Sequence, residues 1–421
     1  MFALTEFSEL VEINPKVSLN RHSHHPFVAM EDVVPGRRYV RASAERPLSG
    51  GSKFDPGDTL FARITPCLEN GKIAQFDPSG STSGLGSTEF IVIRARQART
   101  DPSFAYYLAS TEWVKGPAIQ SMAGASGRQR ARTEALAGAM VPDVPLLIQR
   151  RIASILGAYD DLIEVNRRRI AVLEEMARRL FDEWFVHFRF SGHDGHEMVE
   201  TEQGRIPLGW KWEGLERVCV PRDGIQTGPF GSQLHQSDYT EEGVPVAMPK
   251  NLIGFRIVTA GIARIPEAVA NSLGRHRMRT GDVVYGRRGD IGRRAYVSAH
   301  EDGWFCGTGC LRLRPDQSRI APRYFFDALG LSQTVGSIKG RAQGATMPNL
   351  SAGAMVGVPV LVPPLALQQQ YSELADTSAS LTGNLVEANT RLAASRNLLL
   401  PRLISGDLSV AAAEADLESA G

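Results

Sequence analysis

Apolar residues along this 421-residue chain follow two periods, and the helical one is the more sustained. From Ile148 a seam position returns in alternating steps of four and three at Ile152, Ile155, Tyr159, Leu162, Asn166, Arg169 or Ile170, Leu173, Met176, Leu180 and Trp184. The same alternation runs through Leu367, Tyr371, Leu374, Ser378, Leu381, Leu385, Ala388, Leu392, Ser395 and Leu399, shifted by 367 − 148 = 219 residues. Sustained four-three spacing is the a/d pattern of a coiled coil, and two such helices in one chain pair most simply with each other. Long helices are therefore expected over 145–190 and 364–406, with Asn166 fixing the register at some cost in stability. Residues 146–188 alone would span about 60 Å at about 1.5 Å per residue.

Elsewhere the pattern is short and strand-like, with Gly and Asp turns: 59–63, 89–94, 283–285 and 310–314, plus short helices near 104–110 and 323–329. These blocks repeat. Val28-Ala29-Met30 returns as Val246-Ala247-Met248, Gly57-Asp58 before a strand returns as Gly281-Asp282, and Gly138-Ala-Met-Val141 returns as Gly353-Ala-Met-Val356. Order is kept, and the offsets (218, 224 and 215) stay near that of the helices. The chain thus reads as α+β: a module at 1–144, a helix at 145–190, a polar Gly-rich linker at 191–209, a second module at 210–363, a second helix at 364–406 and an acidic, solvated tail at 407–421. Proline-rich approaches, 141–145 and 358–364, lead into both helices.

Composition adds limits. The length suits two or three domains; 43% hydrophobic and 22% charged residues are ordinary for a folded, soluble protein. A net charge of +1 argues against indiscriminate coating of DNA. No stretch has the apolar length of a membrane span and the start lacks a signal-peptide pattern, so the cytoplasm is the expected location. Cys67, Cys219, Cys306 and Cys310 are too few and scattered for a disulfide framework and read as reduced thiols.

Catalytic signatures are missing: there is no Gly-x4-Gly-Lys-Ser/Thr phosphate loop, no Gly-x-Ser-x-Gly elbow, and Asn14-Pro15-Lys16 lacks the Pro-Pro-aromatic that adenine methyltransferases set against a flipped base. His22, His24 and His25, or Cys306 with Cys310, do not complete a four-ligand metal set, so no metal is assigned. Basic loops are the better chemistry. Residues 124–132 present Arg128, Gln129, Arg130 and Arg132 on glycines, and the matching place in the second copy holds Arg341 and Gln343. Arg can bond the guanine edge bidentately and Gln the adenine edge. Arg287, Arg288 and Arg293 on a strand–turn–strand, with Lys250, suit phosphates; Arg63 and Lys72 stand in the corresponding, less charged stretch of the first copy. A solvated turn would account for any one of these loops alone. The Gly-rich turn 227–232 is weaker evidence still.

Taken together, the duplicated module-then-helix order, the Pro-Asp-Val-Pro-Leu-Leu-Ile-Gln149-Arg-Arg-Ile152 junction, its partner Val-Pro-Pro-Leu-Ala-Leu-Gln368-Gln-Gln and Leu-Pro-Arg402-Leu-Ile-Ser-Gly406 resemble the specificity subunit of type I restriction–modification enzymes over nearly the whole chain. The first junction departs from that family's Pro-Leu-Pro-Pro-Leu through Asp143-Val144. The resemblance implies an antiparallel coiled coil and two target-recognition modules that read a bipartite site in double-stranded DNA. It also implies docking of two modification subunits on helix positions such as Ile152, Leu162, Asn166, Leu173, Leu180, Leu374, Leu381, Leu385 and Leu392. S-adenosylmethionine and ATP would then be cofactors of the modification and restriction partners, and this chain would carry none. The alternative is a coiled-coil adaptor that joins proteins without touching DNA.

Overall fold

In the computed structural model the described residues are 2–413, apart from 49, 81, 125–126, 193–194, 289–290 and 343–348. Two long helices, Leu146–Phe181 and Leu365–Ser405, dominate; the second lies within a residue of its expected span at each end, and the first stops nine residues before the expected end at 190. The first ends in a π-helical turn, Asp182–Val186. The second stops at Gly406, whose φ of 81° suits a residue without Cβ, and a Cβ there would meet the Phe2 ring at 3.1 Å.

The chain divides into two compact units, residues 1–170 with 384–421 and residues 171–383. In the first unit the helices run antiparallel, because Asn166 donates to Asn389 at 2.9 Å while the earlier Asp160 pairs with the later Arg396. Asn166 is buried and holds a polar partner in the seam as its position predicted. In the second unit Phe181, Phe185 and Tyr371 form the helix contact, with ring centroids 5.2–5.7 Å apart.

One correction concerns phase. Leu162, Leu374 and Leu381 are exposed, at 45, 52 and 49%, and so is Met176. Their neighbours Ile163, Ala375 and Thr382 are buried instead, whereas Ile152 is buried and Leu173, Leu180, Leu385 and Leu392 are half-buried. The seam keeps its heptad period but steps by four where three was expected. Its phase follows polar and small residues, Asn389, Arg396, Thr382 and Ala375, which a count weighted toward leucine passes over.

The modules are mixed sheets. In the first unit one sheet runs Val11–Ile13, Phe90–Ala95, Thr59–Ala62, Ile73–Phe76, Tyr39–Val40, and a second runs Ala44–Pro47, His24–Val28, Gly84–Gly86, Ser52–Phe54. The second unit repeats the design as Ile225–Thr227, Cys310–Leu313, Val283–Gly286, Arg294–Tyr296, beside Ala263–Ile265, Val244–Ala247, Phe305–Cys306. Central strands such as Thr59–Ala62 and Val283–Gly286 are buried on both faces, which explains their unbroken rather than alternating apolar runs.

The repeated dipeptides have repeated jobs. Gly57 and Gly281 take φ of 90° and 89° at the turn, and the next residue's carboxylate accepts the backbone N–H three positions back, from Asp55 and Arg279, at 2.7 Å in both. Asp58 then binds Arg94 through two hydrogen bonds (2.7 and 2.6 Å), and Asp282 binds Arg314 through two (2.8 Å each). The junction glutamines are equally matched. Gln149 accepts from the Asp101 N–H and donates to the Val144 carbonyl; Gln368 accepts from Ala321 and donates to Pro363, with all four distances 2.7–2.9 Å.

Two expected irregular segments are ordered in part. The linker contains an antiparallel hairpin, Met198–Thr201 with Gly204–Pro207, and Ile206 is buried. The start of the acidic tail buries Val410 and Ala413 in the first unit's core beside Leu403 and Ile404. Residues 414–421 lie outside the described residues.

Candidate nucleic-acid interface

Each module sends a loop back onto the end of its central strand, and one arginine sits at that junction. In the first unit the Ala131 N–H donates to the Arg63 carbonyl (2.7 Å), and Thr65 donates twice to the Gln129 carbonyl (3.0 Å each). Arg130 bridges to both Ile64 and Ala123 in antiparallel fashion. In the second unit the Leu350 N–H donates to the Arg287 carbonyl (2.8 Å), and Arg288 bridges to Asn349. Arg63 and Arg287 therefore hold equivalent places. Each also has a buried Nε–H with no partner among the described residues. A buried donor left unpaired costs about 1–3 kcal/mol, so each of these guanidiniums carries an unmet demand for an acceptor. Burial, and then the adjacent Arg288, push the pKa of Arg287 below its usual value, as expected for a cation lacking a counter-charge. Its guanidinium lies over Phe230, 5.8 Å from a ring that is itself 54% exposed.

The other predicted residues separate into exposed and engaged. Arg128 and Arg132 are exposed on the 121–132 loop, with Gln129 half-buried; Lys250 is exposed on the turn Pro249–Asn251, and Arg288 is exposed at the end of its strand. Arg293 is exposed and engaged within the fold. Arg130 forks onto the Glu89 carboxylate at 2.6–3.0 Å, which compensates its charge locally. Lys72 donates to the Met30 carbonyl at 2.8 Å, and Arg341 spends its donors on Val356, Gly357 and Ser337. These two act as struts here, because main-chain carbonyls in their reach needed donors. Gln343 lies outside the described residues. At 227–232 the glycine has a packing role: a Cβ on Gly228 would lie 2.0 Å from the Gly307 carbonyl. Cys306 and Cys310 are buried, and no group of metal-ligating side chains occurs among the described residues.

Sequence reasoning places Arg63 in the stretch corresponding to Arg287 but does not single the pair out from the other basic residues around them. The signal is present, since both follow the strand that the repeated Gly-Asp introduces. It also misses Lys16 and Lys53, which share a cleft with Arg63.

A duplicated α+β module carried on paired helices, with matching arginines at matching strand ends, defines a two-module recognition scaffold. Residues 69–175 match the type I restriction modification DNA specificity domain. The chain is similar to the type I restriction enzyme MjaIX specificity subunit of Methanocaldococcus jannaschii, 22% identical over 73% of this chain and 69% of that one. It also resembles the MjaVIII specificity subunit of the same organism, 23% identical over 48% of this chain and 44% of that one. Among solved structures, the S subunit of a type I restriction–modification system from M. genitalium shares the fold, with a TM-score of 0.58, 17% identity and 96% of each chain covered. The family match is thus local, to residues 69–175, and the likeness to curated specificity subunits is distant but runs over most of the chain.

Proposed function

We infer that this chain is the DNA sequence-specificity subunit of a type I restriction–modification complex, reading a bipartite, asymmetric site with one module per half. The observation that carries the reading is the pair Arg63 and Arg287: one frame, built twice, offers an unpaired buried guanidinium donor at the same strand end. Around that constant pair the loops differ in text. The first module presents Arg128, Gln129 and Arg132, while the second presents Arg288, Phe230 and Lys250. A shared frame with unlike side chains suits reading two different half-sites. The chain supplies recognition and leaves chemistry to its partners. Two modification subunits would dock on the duplicated helices and bring S-adenosylmethionine, and an ATP-dependent restriction subunit would complete the assembly in the cytoplasm. No helix among the described residues is long and apolar enough to cross a membrane.

The test is to map methylated bases in cells that make this chain together with its modification partner. One motif of two defined halves around a fixed unspecified spacer is the expected result. An unmethylated genome from an assembled complex would favour the adaptor reading and overturn this one.

A further inference from the structure

The first unit contains an open cleft of about 560 Å³ between residues 14–18, residues 51–53 and Arg63. Its lining includes three basic residues, Lys16, Lys53 and Arg63, and no acid. Neither lysine side chain makes a hydrogen bond or ion pair with a described residue, and Arg63 Nε is buried without a partner among them. Phe90 and Val92 also line the cleft, and such apolar neighbours strengthen any charge interaction made beside them. The walls are fixed in advance. Asn14 at φ 51° bonds strand Phe90–Ala95 both ways, its N–H donating to the Val92 carbonyl at 2.7 Å and its side chain accepting from the Val92 N–H at 3.0 Å. Ser52 Oγ donates to the Phe90 carbonyl at 2.8 Å.

In the second unit Arg277 precedes Asp282 by the five residues that separate Lys53 from Asp58, but its charge is already met there, by Glu267 at 2.5 Å.

We propose that Lys16 and Lys53 in the cleft of the first unit grip a backbone phosphate of duplex DNA beside Arg63, adding affinity without reading sequence. This rests on the DNA-reading assignment above and identifies where that reading is anchored. A phosphodiester fits better than a free anion because the cleft is open and its Arg63 also carries the base of the 123–131 loop, which places backbone and base contacts side by side.

The experiment uses the chain assembled with its modification subunit, and measures binding to cognate and scrambled duplexes across a salt series in chloride and in phosphate at matched ionic strength. In Lys16→Gln/Lys53→Gln, both duplexes should weaken by the same factor, the slope of log K against log salt should become shallower by about 0.9 for one lost phosphate contact, and the methylated motif should stay unchanged. Lys16→Arg/Lys53→Arg should keep the wild-type slope, and equal melting temperatures for the three proteins verify the fold. An unchanged slope in the Gln variant, with inorganic phosphate alone sensing the exchange, overturns the proposal in favour of a free-anion site. A changed motif overturns it in favour of base reading. If the wild-type complex fails to prefer any duplex, the DNA-reading assignment itself falls; failure of the cleft alone leaves wild-type binding intact.

Discussion

Single side chains in this protein fall into two kinds, those whose charge is answered inside the fold and those whose charge is not. Arg396 and Asp160 are 9% and 5% exposed and pair within the first unit's helix seam, and Tyr107 donates to the same carboxylate at 2.6 Å. Removing one partner strands a buried charge, so Arg396→Met should destabilise the first unit by about 3–5 kcal/mol in denaturant melts, whereas Arg396→Met with Asp160→Leu should recover much of the loss. A single variant as stable as wild type would show that water reaches this pair. Arg63 and Arg287 are the other kind. Arg63→Ala should relax one half of the methylated motif and Arg287→Ala the other, each by about 1–3 kcal/mol at the base pair concerned. Loss of both halves from either single change would contradict one module per half-site.

At the scale of elements, the two junctions are the most faithfully copied parts. Gln149 and Gln368 each tie the first turn of a long helix to the N-terminus of a short helix, Pro102–Ala109 or Pro322–Ala328, and to the proline-rich approach. Gln149→Ala should lower the stability of the first unit by about 1–3 kcal/mol and leave the second unchanged, with Gln368→Ala giving the reverse; hydrogen exchange resolved by segment reports which unit opens. Much of this architecture is legible in the sequence. Four-three spacing locates both long helices, Gly-Asp locates both central strands, and the Pro-rich runs mark where each long helix begins. What stays hidden is anything decided by a partner remote in sequence. Leu162 and Ile163 are equally apolar, and only Asn389 and Arg396, more than 200 residues away, choose between them. The same limit applies to Arg130 and Arg341, exposed arginines whose partners Glu89 and Val356 give no sign in the local pattern.

For the whole molecule, each long helix passes without a break from one compact unit to the other. Lengthening both helices by a matched heptad beside Asn166 and Asn389 preserves the seam and adds about 10 Å at about 1.5 Å per residue. The spacer of the methylated motif should then change by about three base pairs, at about 3.4 Å per base pair along one strand, with both half-sites unchanged. A changed half-site with an unchanged spacer would refute the helices as the measuring element. The division of the chain also sets an order in time. Residues 171–383 form their unit from one continuous stretch, but the unit that begins at the N-terminus needs Leu403, Ile404, Val410 and Ala413 to complete its core. On the ribosome, the part made first is finished last. A chain released early, at residue 383, should hold a protease-resistant second unit beside an exposed, ANS-binding first one. A cell would thus have a built-in check against truncated chains, because one that stops before residue 403 cannot mature the unit it started with.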